Sequence, residues 1–173
     1  MLDLSNYKIV SNEVYYLKNK PTNLNKADIK KLIDLANKNQ SKKIRLCFHD
    51  SINSNVHEML IVHSKSTYVK PHKHLNKEET MMILEGNADY IIFDNTGKVK
   101  KIIEMGNYES GKSFYQIIPK QTFHMIVIKS DWLVFKEVTQ GPFNAKDTVF
   151  APWRPDDKNI QLINEYIKKI KVK

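Results

Sequence analysis

From Lys43 to Thr139 the chain is a near-continuous series of short runs rich in Ile, Val, Tyr, Phe and Thr, cut at fairly even intervals by turn-forming residues. The runs are KIRLCFH, HEMLIVH, STYVKPH, TMMILEG, ADYIIFD, KVKKIIEM, SFYQIIP, FHMIVIK and WLVFKEVT, with turn signals such as Asp94-Asn95-Thr96-Gly97 and Glu85-Gly86-Asn87 between them. β-Branched and aromatic side chains suit a pleated, half-buried surface, and Gly and Asn supply the reversals. Eight or nine strands in about a hundred residues predict an all-β sandwich or barrel.

The flanks read differently. A strand is expected around Glu13 to Leu17, interrupted by Pro21. Asn25 then suits a helix N-cap, with Asp28 three residues on, and Ile29, Leu32, Ile33 and Ala36 recur at helical spacing. Beyond Thr139 the segment QGPFNAKDTVFAPWRPDD reads as a loop held by packing its rings against the barrel wall, Phe143, Phe150 and Trp153 being the packing groups. Ile160, Ile163, Ile167 and Ile170 mark a C-terminal helix. The expected organisation is one domain: an N-terminal strand and helix extension over residues 1–40, a β-barrel over 41–140, and a flap loop with helix over 141–173.

A chain of 173 residues can bury a real core without covalent staples. Its single cysteine, Cys47, rules out an intrachain disulfide, and no apolar stretch at the N-terminus is flanked as a signal peptide would be, so a cytoplasmic setting is expected. No run approaches the roughly 20 apolar residues of a spanning helix, and no membrane role is expected. The net charge of +9 comes from lysines spread along the whole chain, with only Arg45 and Arg154 as arginines. Without a basic stripe interleaved with aromatics, nucleic-acid binding is not expected. A basic surface does suit an anionic small molecule, such as a phosphorylated or nucleotide-linked substrate.

The densest chemistry lies in PHKHLNKEETMMILEG. His72 and His74 are two apart on an expected strand and therefore project from one face. Glu79 opens the next strand after a turn, so a hairpin brings a carboxylate opposite the imidazole pair. Glu78 competes for this place, but the spacing to Gly86 favours Glu79. In PKQTFHMIVI, His124 sits on a later strand that can face the same interior in a closed barrel. Three imidazoles and one carboxylate suit one divalent transition-metal ion, with zinc, iron, manganese and nickel all within the set's range, and leave one or two coordination positions open.

The spacing His-x-His-x4-Glu-x6-Gly, followed by Pro-x4-His, resembles the two motifs of the cupin superfamily. The resemblance implies a double-stranded β-helix, or jelly-roll barrel, with metal held by His72, His74, Glu79 and His124, and implies a homodimer. Several positions depart from the superfamily pattern: Ser66, Ser113 and Gln121 stand where it has glycines, and Ile128 where it has asparagine. A narrower resemblance runs from about residue 24 to 157. The pieces IRLCFH, PHKHLNKEETMMILEG, PKQTFH and GPF…FAPWRPDD, in that order, are similar to WbuC-type cupin metalloproteins associated with bacterial surface-polysaccharide gene clusters. It implies a setting in lipopolysaccharide or capsule sugar metabolism.

Arg45, Cys47 and His49 alternate on one face of an early strand, where Arg45 can clamp a substrate carboxylate or phosphate or else sit at a pairing edge. Cys47 lacks the partners of a nucleophile. Tyr68, Tyr115 and Glu137 lie on strands expected to approach the pocket, where a phenol or carboxyl can move protons. His57 and His63 read as ordinary strand or surface residues. The leading reading is an enzyme acting on a sugar or nucleotide-sugar, with metal-assisted isomerisation or epimerisation as its reaction. An Fe(II)-dependent oxygenase and a non-catalytic sugar- or metal-binding regulatory module are the alternatives, because fold alone does not decide among them.

Overall fold

The computed structural model describes residues 2–20 and 22–171; Pro21, expected to interrupt the first strand, lies outside them. Among the described residues the order is β1 (Tyr7–Ser11), β2 (Val14–Leu17), α1 (Lys26–Lys38), β3 (Lys43–Cys47), β4 (Val56–Ser64), β5 (His72–His74), β6 (Glu79–Glu85), β7 (Asn87–Phe93), β8 (Val99–Gly106), β9 (Tyr115–Ile118), β10 (His124–Ile128), β11 (Trp132–Gln140), β12 (Thr148–Phe150) and α2 (Ile160–Lys171). Two sheets face each other, one ordered β1-β2-β3-β4-β11-β6-β9 and the other β12-β5-β10-β7-β8. All pairings are antiparallel except β2 with β3. This is the double-stranded β-helix of cupins, mainly β with one helix on either side.

Alternation along the strands sorts the apolar residues into three layers. Met59, Ile61, Met81, Ile83, Tyr90, Ile126 and Phe135 point between the sheets. Leu46, Leu60, Val62 and Val134 point the other way and meet Leu32 and Ala36 of α1. Ile91, Phe93, Met125 and Val127 form the outer face of the second sheet, covered by Ala151, Trp153, Tyr166 and Ile170 from the flap and α2. Both faces of β10 are therefore buried, which is why HMIVI reads as an unbroken apolar run rather than an alternation.

Helix α1 begins at a full capping box: Asn25 accepts from the Ala27 and Asp28 amides, and the Asp28 carboxylate accepts from the Asn25 amide. Gly86, between β6 and β7, has φ +88 and would place a Cβ 2.2 Å from the Trp132 carbonyl, so the turn requires glycine. Gln121 also sits in the left-handed region, at φ 63, where the superfamily pattern has glycine. Its amide donates to the His74 carbonyl.

Two expectations about strands need correction. Of the run STYVKPH only its last residue, His72, is in a strand, as the start of β5, since Pro71 has no N–H to give a ladder. The flap contributes β12, which pairs with β5 and thereby enters the second sheet. Among the described residues no helix is long and apolar enough to cross a membrane.

Candidate metal centre

The short strand β5 and the first residues of β6 and β10 converge at one end of the space between the sheets. His72 on β5 lies directly across from His124 on β10. His74, two residues on, projects from the same face, and β6 begins at Glu79 from the opposing sheet, beside Thr139 and Ile118. One ligand atom from each of His72, His74, Glu79 and His124 lies within 4.8 Å of all the others, a grouping that could hold a metal ion.

Hydrogen bonds orient the rings. Nδ1 of His72 donates to the Lys70 carbonyl at 2.7 Å, and Nδ1 of His124 donates to the Thr122 carbonyl at 2.9 Å. A carbonyl only accepts, so the Nδ1 protons are fixed and both Nε2 atoms turn inward. His74 instead meets the Thr148 hydroxyl, 3.1 Å from its Nδ1. Inside the cluster, Glu79 lies 2.8 Å from His74 Nε2 and 3.4 Å from His124 Nε2. His124 thus has an oxygen acceptor at each end of its ring, and a divalent cation at Nε2 satisfies carboxylate and imidazole together. Tyr90 stacks on His124 with ring centroids 5.5 Å apart, closing its far side.

The electrostatics fit the same donor set. Burial, reinforced by His124, pulls His72 down to about 4, so its imidazole is neutral at physiological pH. Burial alone would raise Glu79, but the His124 and His74 rings set against its oxygens outweigh it and hold this carboxyl well below the usual range. A neutral imidazole and an ionised carboxylate are the forms that bind metals.

The quartet forms part of the wall of a cavity of about 440 Å³. Arg45, Tyr68 and Glu137 line it as well. Arg45 is exposed at its mouth. Burial, and then the charge of Glu79, pushes Glu137 up to about 7. Tyr68, expected as a proton-transfer group, packs its ring with Trp153 and Tyr166 on the outer face of the second sheet, where its hydroxyl is buried away from the quartet and burial holds its phenol protonated far above neutrality. Tyr115 is not at the cavity: it pairs with Met82, whereas its neighbour Gln116 pairs with the inward-facing Met81, so strand alternation turns Tyr115 outward to solvent. Glu78 is exposed, its amide held by Gln140 and its carbonyl by the Thr139 hydroxyl. Phe143 and Phe150, expected as packing groups, are half-exposed and line the cavity. Burial pushes the Cys47 thiol up to about 11, the opposite of an activated nucleophile.

The comparisons with known proteins agree with the fold. A family model described as a domain of unknown function, DUF6016, matches residues 24–105. No curated protein matches the sequence. Among solved structures, a Shewanella oneidensis protein is 9% identical, with 72% of this chain and 77% of that chain covered and a TM-score of 0.51. An uncharacterised conserved protein with a double-stranded β-helix domain from Klebsiella pneumoniae is 14% identical over 63% of this chain and 79% of that one, with a TM-score of 0.48. Bacillus subtilis oxalate decarboxylase, a protein with Mn(II) centres, is 18% identical over 56% of this chain, with a TM-score of 0.45. The chain spans about 24% of the length of that decarboxylase and 22% of the coconut allergen cocosin, which it also resembles.

Proposed function

We propose that this chain is a metal-dependent enzyme in which His72, His74, Glu79 and His124 hold one divalent transition-metal ion, and that its substrate is a sugar or nucleotide-linked sugar of bacterial surface-polysaccharide synthesis. The observation that carries the reading is the convergence of four ligand atoms within 4.8 Å at the wall of an accessible cavity. A bound ion would supply Lewis acidity toward a substrate carbonyl or hydroxyl. Glu137, with a pKa of about 7, has both protonation states available at neutral pH and is suited to take and return a proton, as isomerisation or epimerisation requires. Arg45, with Lys77 on the same cavity, offers positive charge to a phosphate or carboxylate. A homodimer is proposed on the resemblance alone, and sedimentation equilibrium tests it.

The first experiment is elemental mass spectrometry of protein purified without added metal, with His72→Ala and His124→Ala in parallel. One equivalent of a single ion, lost in both variants, is the expected result. No ion in the parent protein, even after reconstitution, sinks the metal reading. The loaded protein is then incubated with nucleotide-linked sugars in D2O: deuterium entering a substrate C–H bond supports proton-shuttling isomerisation, whereas oxygen consumption by an iron-loaded form moves the assignment to an oxygenase.

A further inference from the structure

His72 and His124 are each oriented by a backbone carbonyl, but His74 is oriented by side chains from the flap. Asp147, which closes a short 3-10 turn at Ala145–Asp147, is buried against β5. Its Oδ1 accepts from the Asn76 amide at 2.9 Å and from Asn76 Nδ2 at 2.8 Å, while its carbonyl accepts from the Leu75 amide at 3.0 Å. Its Oδ2 is buried, has no hydrogen-bond partner among the described residues, and lies 3.8 Å from His74 Nδ1. The next residue, Thr148, places its hydroxyl 3.1 Å from the same nitrogen.

From this geometry we infer that Asp147 is a positioning residue of the metal centre, acting with Thr148 to keep the His74 proton on Nδ1 and its Nε2 lone pair turned to the ion. The inference rests on the metal reading above and extends the centre into a segment 23 residues beyond its last ligand, His124. A buried carboxylate oxygen without a hydrogen bond is costly, and the group offsetting that cost here is the imidazole edge it faces. At 3.8 Å the contact is one of charge rather than a hydrogen bond; the Thr148 hydroxyl accepts the Nδ1 proton, and the Asp147 charge stabilises it there. A cation drawing electron density through Nε2 makes Nδ1–H more acidic, so both contacts strengthen when the ion is bound. Asp147 also fixes Leu75 and Asn76, the start of the loop that joins the ligands His74 and Glu79.

The test compares the parent with Asp147→Asn and Thr148→Val. Asp147→Asn keeps an oxygen for Asn76 and replaces the anionic oxygen facing His74 by a neutral amide. Zinc dissociation constants are measured by chelator competition, and the Nδ1–H proton of His74 is read by NMR at saturating zinc. The expected result is a loss of roughly 10–100-fold in zinc affinity for Asp147→Asn and roughly 10-fold for Thr148→Val. The His74 Nδ1–H signal of Asp147→Asn should also lie upfield of the parent's, a change that loosened packing alone would not produce. If both variants bind zinc within twofold of the parent and the signal does not move, the inference is overturned. If Asp147→Asn does not fold, Thr148→Val decides on the same two readouts. A parent that binds no zinc, manganese or iron overturns the metal reading, and this inference with it.

Discussion

The chain carries six histidines, and they form two groups of three that differ in what their nitrogens face. His72, His74 and His124 each have Nδ1 held by an oxygen, as His49 does by the Glu58 carbonyl, but His74 and His124 also meet a carboxylate, Glu79, through Nε2. His49, His57 and His63 lie on or beside the seven-stranded sheet, and among the described residues no ion pair joins them to a carboxylate. His49 stacks on His57 with ring centroids 4.1 Å apart, and His63 turns its edge to Phe135. Burial lowers all three of these, His63 to about 3. Two cavity carboxyls repeat the contrast: the histidines facing its oxygens hold Glu79 ionised against burial, whereas Glu137, lacking them, is pushed up to about 7. Desolvation is common to both groups, so the convergence of acceptors, rather than burial or residue type, is what makes a ligand set.

The hardest blow to this contrast is removal of a converging group. Glu79→Gln and His124→Ala should each lower ion affinity by more than the roughly 100-fold that loss of an outer partner costs, leaving only traces by elemental mass spectrometry. A full equivalent retained in either variant would dissolve the distinction between the groups. Next in size is Glu137→Gln. The native carboxyl keeps its proton up to about 7, while the unfolded chain releases it near 4.5, so the native state binds more protons between these values and the parent loses stability as pH rises through them. Urea melts should show Glu137→Gln more stable than the parent by about 3 kcal/mol at pH 8, with little difference at pH 4. His63→Phe tests the opposite sign. The unfolded imidazole gains a proton near 6.5 and the native one only near 3, so the parent loses stability as pH falls between them. The variant should gain on the order of 2 kcal/mol at pH 4, none at pH 8, and keep its ion.

Much of the centre was legible because it is local. His72 and His74 share one face of β5 by strand alternation, and His124 is the register partner of His72 in the same sheet; the expected hairpin is not formed, because β6 pairs with β11 and β9 in the opposing sheet, so Glu79 reaches the imidazoles across the space between the sheets. The same periodicity failed at Tyr115, since SFYQIIP is apolar at consecutive positions and does not reveal which parity faces inward. Asp147 and Thr148 left no trace in the pattern. Asp147 closes a three-residue 3-10 turn and Thr148 opens β12, which at three residues is too short for any period to show. What places them is the pairing of β12 with β5, a long-range contact that no local signal encodes.

The smallest expected effect falls on the residue that most resembles a ligand without being one. His57 is buried, lines the same cavity as the quartet, and has an Nε2 without a hydrogen-bond partner among the described residues. Its ring, however, packs tightly under the Gly141 backbone, where an added Cβ would come within 2.7 Å of Nε2, so that nitrogen is turned to the chain rather than to the other imidazoles. His57→Gln should therefore leave zinc affinity within twofold of the parent. It should cost about 1 kcal/mol in urea melts through loss of the stack on His49. A tenfold fall in affinity with the melt unchanged would move His57 into the first group and show that convergence in the metal-free fold understates the centre.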